Sequence, residues 1–135
     1  MPDNGVNPFA VTSYVTISKA IMSLLNDPSK ISNRFYHIAD GVLTLQDVLR
    51  IFEKESGVSW GKSSYSVKEG SEVALVNLQG GVYGVQEFFG TLTVPFFGGL
   101  QVFKKLDNEL FGIEDGEVDM RQEMARFAKE QIKDA

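Results

Sequence analysis

The stretch GVQEFFGTLTVPFFGGLQVF, residues 84–103, holds five of the chain's ten phenylalanines and a single charge, Glu87. Whether it crosses a membrane or folds into a globular body decides what kind of protein this is. From Phe88 to Phe103 there are sixteen residues without a charge, whereas a membrane-spanning helix needs about 20. Gly90, Pro95, Gly98 and Gly99 punctuate the run, and inside a helix glycine costs about 1 kcal/mol and proline about 3. The run is therefore read as part of a globular fold. Its apolar side chains then need cover, either from the chain's own core or from a second molecule.

The rest of the chain agrees with a globular reading. Its 135 residues are 43% hydrophobic and 23% charged, an ordinary composition for a domain. That length leads to an expectation of one domain over residues 1–135 with one core. The net charge is −5, and Lys and Arg are scattered rather than gathered in a stripe, so no nucleic-acid partner is expected. There is no cysteine, which removes disulfides and thiolate metal sites and fits a reducing, cytoplasmic location. The segment MPDNGVNPFAV lacks the basic and apolar regions of a secretory signal, so no targeting segment and no membrane partner are expected.

Periodicity sets out the elements. NPFAVTS reads as a short strand, and Thr16 as the cap of a helix whose Ile17, Ala20, Ile21, Leu24 and Leu25 share a face. Pro28 ends that helix near Asp27. NRFYHIAD, with aromatic and β-branched residues on both faces, reads as a central strand. Thr44 with Asp47 approximates a capping box, and Leu45, Val48, Leu49 and Phe52 continue a helix to Gly57. SSYSV reads as a further short strand, and KEGSEVALVNLQGG as a helix closed by glycines. The last segment places Met120, Met124, Phe127, Ala128 and Gln131 on one face of an amphipathic helix. The fold class expected is α+β of α/β derivation, with few short strands and four to five helices.

No G-x-G-x-x-G follows a strand, so no dinucleotide cofactor is expected. Residues 11–60 and 104–127 instead resemble the C-terminal part of the NmrA-like and isoflavone reductase-like proteins, which are atypical short-chain dehydrogenases. The segment SNRFYHIAD resembles that family's N-R-x-Y-x-I strand, LTLQDVLRIFEKESG its following helix, and LDNELFG its [DN]-N-x-L-L-G segment. The family's D-I-G triplet is here Thr16, Ile17 and Ser18. The resemblance implies a partial domain, the substrate-binding side of a cleft without the nucleotide-binding half. It also implies a surface that the nucleotide domain partly covers in larger relatives.

Candidate chemistry is sparse. His37 is the only histidine and titrates near neutrality; it is read either as a hydrogen-bonded structural residue or as a general acid or base. A lone histidine without cysteine gives no metal shell, so no metal is expected. Among the carboxylates Asp40, Glu53, Glu55, Glu69, Glu72 and Glu87, the pair Glu53 and Glu55 is read as solvated. Glu87, alone in the Phe-rich run, is read either as a surface or capping residue or as a catalytic candidate beside His37. Trp60, Tyr83, Phe88, Phe89, Phe96 and Phe97 are the candidate ligand-binding aromatics, with Tyr65 a further stacking candidate. A cavity between the Phe-rich run and the 44–57 helix is expected.

Two functions follow as expectations. The first is a non-redox small-molecule-binding domain that holds an apolar or aromatic metabolite in a Phe-rich cleft. The second is a cofactor-independent isomerase or cyclase of secondary metabolism using His37 or Glu87 as acid or base. For the run itself, self-association as a homodimer is expected, against the alternative of a helical hairpin turning at Gly90 and at 95–99.

Overall fold

The computed structural model describes residues 1–30, 32–99 and 102–133. Among the described residues the fold is mixed α+β, with a two-stranded antiparallel sheet and five α-helices. Strand β1 is Pro8–Val11 and β2 is Gly41–Thr44; the helices are α1 Tyr14–Asn26, α2 Leu45–Ser56, α3 Val67–Gln79, α4 Val85–Phe97 and α5 Met120–Lys133. Among the described residues no helix is long and apolar enough to cross a membrane. The chain divides into two compact units, residues 1–9 with 43–102 and residues 10–42 with 103–135.

In the first unit, α2 forms as its local signals dictate. Thr44 Oγ1 accepts the Asp47 N–H at 3.0 Å while the Asp47 carboxylate takes the Thr44 N–H at 3.0 Å, a complete capping box. Gly57 closes the helix in the left-handed region at φ 69°, a conformation that costs glycine little. The expected strand at SSYSV is not formed. Only Tyr65 pairs there, as an isolated parallel bridge to Pro2: its N–H donates to the Met1 carbonyl at 3.2 Å and its carbonyl accepts the Asp3 N–H at 2.9 Å, while the Asp3 carboxylate accepts from Val67 N–H at 2.8 Å. The N-terminal strap turns through left-handed φ at Asp3, Asn4 and Gly5, which ends any ladder.

In the second unit, Ala20, Phe111 and Ile113 are buried together, with Leu24, Tyr36 and Ile38 packed against them. Thr16 is not the cap of α1. That role falls to Ser13, whose hydroxyl accepts the Thr16 N–H at 3.2 Å. Thr16, 1% exposed, donates its own hydroxyl to Asp40 at 2.5 Å, and the same carboxylate accepts the Ser13 N–H at 2.6 Å. A negative group at the helix N-terminus is favourable, so Asp40 supplies across space the charge that the Thr16-Ile17-Ser18 triplet lacks.

NRFYHIAD is not a strand either. Its backbone groups bond to side chains and loops: His37 N–H to the Asp107 carboxylate at 2.9 Å, Ala39 N–H and C=O to the Asn108 amide at 3.2 and 2.8 Å, and the Ile38 carbonyl to the Thr12 hydroxyl at 3.1 Å. The strand propensity of the segment is real, but only its last residue reaches a strand, Asp40 N–H donating to the Val11 carbonyl of β1 at 2.9 Å, and the partners of His37, Ile38 and Ala39 are side chains and the Asp107 N–H.

Candidate functional site

The stretch at 84–103 begins as one helix. α4 runs unbroken through Gly90 and carries Pro95 in its last turn, so of the two turns in the hairpin alternative the one at Gly90 is not formed, while the chain does turn within 95–99, at Gly98, the C-cap, and Gly99, where φ is 79°. The reason lies in the packing against α3. A Cβ at Gly90 would stand 2.6 Å from Ala74 Cβ and 3.4 Å from the Gly70 carbonyl oxygen, so the missing side chain is what lets the two helices approach. The close packing offsets the glycine's conformational cost.

This seam gives α4 two faces. Toward its own unit it turns Glu87, Gly90, Val94 and Phe97, spaced i, i+3, i+7 and i+10. The Glu87 carboxylate accepts from Asn77 Nδ2 at 3.1 Å, and Phe97 meets Phe9 edge-on at 5.9 Å between ring centroids. The Phe97 carbonyl accepts from Asn7 Nδ2 at 2.8 Å. The opposite stripe is Val85, Phe89, Leu92 and Phe96, flanked by Phe88. Its rings are uncovered: Phe88 is 58% exposed, Phe89 61% and Phe96 52%. A helix apolar all round is normally buried all round; here the outer phenylalanines are left in water, with Leu92 between them half-buried.

A groove of 410 Å³ lies along the α3–α4 seam, lined by Tyr65, Ser66, Glu69, Val73, Asn77 and Glu87 with neighbouring backbone. None of Trp60, Tyr83, Phe88, Phe89, Phe96 or Phe97 lines it. Tyr83 is exposed before α4, and Trp60 stands edge-on to Phe52 at 6.0 Å. Glu87 is the third residue of α4, and a Cβ at its N-cap Gly84 would lie 2.5 Å from Glu87 Oε2. The carboxylate thus folds over the helix N-terminus, while its other oxygen ties α4 to α3.

Glu53, expected to be solvated, is instead an anchor. It accepts the Trp60 N–H at 3.1 Å and the Ser59 hydroxyl at 3.4 Å, with Lys62 Nζ 3.7 Å away. The Trp60 amide first, and Lys62 with it, hold its carboxyl below the usual range.

Glu87 belongs to the first unit and His37 to the second. Its ring stacks on Phe103 with centroids 4.2 Å apart and planes at 29°. Its carbonyl accepts the Asp107 N–H at 2.6 Å while Asp107 takes the His37 N–H, and Arg34 reaches the same carboxylate at 2.8 Å while lying 4.4 Å over the Tyr36 ring. Asp107 and Asn108 are the residues that sequence reasoning passed over; the only signal was their place in LDNELFG, an Asp-Asn pair before a glycine-closed turn.

The His37 amide, and then Arg34, lower the Asp107 carboxyl from its ordinary value of 3.8. A carboxyl depressed by folding stabilises the fold at pH above its unfolded value, and that contribution is lost as pH falls through the folded one. Urea titrations from pH 7 down to about 3 should therefore lose stability below about pH 4, with a smaller loss in Asp107→Asn. An identical acid limb in both proteins would contradict the assignment.

Among the described residues no group of three or more His, Cys, Asp or Glu is placed to hold a metal ion. Comparison with protein families, with curated proteins and with solved structures finds no match to this chain.

Proposed function

We propose that the chain is a non-redox binding module that works through the outer face of α4, with a second copy of the chain as its first partner. The observation that carries the reading is the stripe of Val85, Phe89 and Phe96 with Phe88, each more than half exposed. A phenylalanine buries about 150–250 Å² when covered, so these rings leave on the order of 100 Å² each in water. With the exposed Val85 the bare patch reaches several hundred Å², a size that on soluble proteins marks an interface. It would form the apolar centre of a standard interface of about 800 Å² per partner.

A two-fold arrangement sets α4 against its own copy, the simplest way for one patch to cover itself. Phe88, Phe89 and Phe96 from both copies then form the walls of a Phe-rich cleft, and a small apolar or aromatic ligand is its natural occupant. The resemblance to NmrA-like proteins supports an interface here, since their matching surface is partly covered. A chain without cysteine suits a reducing compartment such as the cytoplasm. Phe96→Asp tests the reading: it should halve the mass in solution and leave the helical content intact. Loss of thermal stability with no change in mass would make Phe96 an intramolecular core residue and the reading wrong.

A further inference from the structure

We infer that the α3–α4 groove is a separate binding site for a linear α,ω-diamine or polyamine. Its lining carries two carboxylates, Glu69 and Glu87, the neutral polar groups of Ser66, Asn77 and Gln86, and no lysine or arginine. Such a lining attracts a cation and gives an anion nothing to pair with. The charges are also separated. Glu69 stands near the start of α3, whereas Glu87 is fixed by Asn77 near its end. At 1.5 Å per residue, Glu69 and Asn77 lie about 12 Å apart along the helix.

Between the two acids the groove is lined by Val73 and Ala74, and Tyr65 stands in it beside Gly70, where a Cβ would meet the ring at 3.9 Å. An acid at each end and hydrocarbon between them match a methylene chain with an ammonium at each terminus. Tyr65 offers a ring face to one ammonium. Glu87 lies on the inner side of α4, opposite the phenylalanine stripe, so the inference stands apart from self-association.

Titration of the full chain followed by amide chemical shifts tests it with octamethylenediamine, tetramethylenediamine, octylamine and octanol. Octamethylenediamine should give saturable shifts centred on residues 66–77 and 85–87. It should bind about tenfold more tightly than octylamine or the shorter diamine, the difference one charge-assisted contact makes. Glu69→Gln should reduce the long diamine to the affinity of octylamine. Glu87→Gln, which keeps an oxygen for Asn77, should do the same with the helical content unchanged by circular dichroism. The inference is overturned if octylamine or octanol matches the long diamine, if neither variant changes its affinity, or if no saturable shift centres on the groove.

Discussion

Replacing Asn108 by leucine is expected to destabilise the second unit by about 2–4 kcal/mol, among the larger effects of any single change in the chain. Asn108 is 4% exposed, and its amide brackets the backbone of Ala39, itself 4% exposed: Nδ2 donates to the carbonyl at 2.8 Å and Oδ1 accepts the N–H at 3.2 Å. Leucine has a similar volume but leaves a buried donor and a buried acceptor without partners, and each such group costs about 1–3 kcal/mol. Asn108→Asp keeps the acceptor and removes the donor while burying a charge, so it too should destabilise. Urea denaturation followed by circular dichroism gives the difference directly. A change under about 1 kcal/mol for Asn108→Leu would show that water replaces the lost bonds.

The second large effect is expected at Gly90 and has the opposite sign to the one helix propensity gives. In an exposed helix interior, glycine to alanine stabilises by about 1 kcal/mol. Here the added Cβ would be 2.6 Å from Ala74 Cβ, well inside contact distance, and overpacking of this kind costs about 1–3 kcal/mol. Gly90→Ala should therefore lower stability, and amide exchange should speed up in α3 and α4 before other parts of the first unit. The double change Ala74→Gly with Gly90→Ala should recover part of the loss, because the two positions share one contact. A stabilised Gly90→Ala would place the helices farther apart than described.

What could be read in advance was what is decided locally. The Thr44–Asp47 capping box and Gly57 lie within one helix and its ends, and both stand as the spacing predicts. The α1 cap was misplaced by three residues because Ser13 and Thr16 both carry hydroxyls, and only Asp40, 24 positions beyond Thr16, decides which of them caps. NRFYHIAD carries the composition of a strand, yet the backbone of His37 and Ala39 is held by Asp107 and Asn108, about seventy positions away. No periodicity reports a pairing of that kind. The Phe-rich stretch was hard to read for a different reason. It is apolar on both faces of α4, so it has no period to indicate which face looks inward; that depends on Gly90 fitting against Ala74.

The candidate sites divide in the same way. Glu87 could be singled out because it is the one charge in an apolar run, and it does line a groove. Its partner Asn77 gives no signal in the sequence, because an amide near the end of α3 looks like any exposed helical residue until α4 is folded beside it.

Sedimentation equilibrium of the unaltered chain over a range of concentrations around the micromolar tests the central claim, that the outer face of α4 is an interface between copies. The weight-average mass should rise with concentration toward twice that of one chain, and a Phe89→Asp variant should stay at the mass of one chain over the same range with its helical content unchanged. A mass that remains that of a single chain throughout would contradict it, because Phe88, Phe89 and Phe96 would then be stably exposed to water with no copy of the chain to cover them.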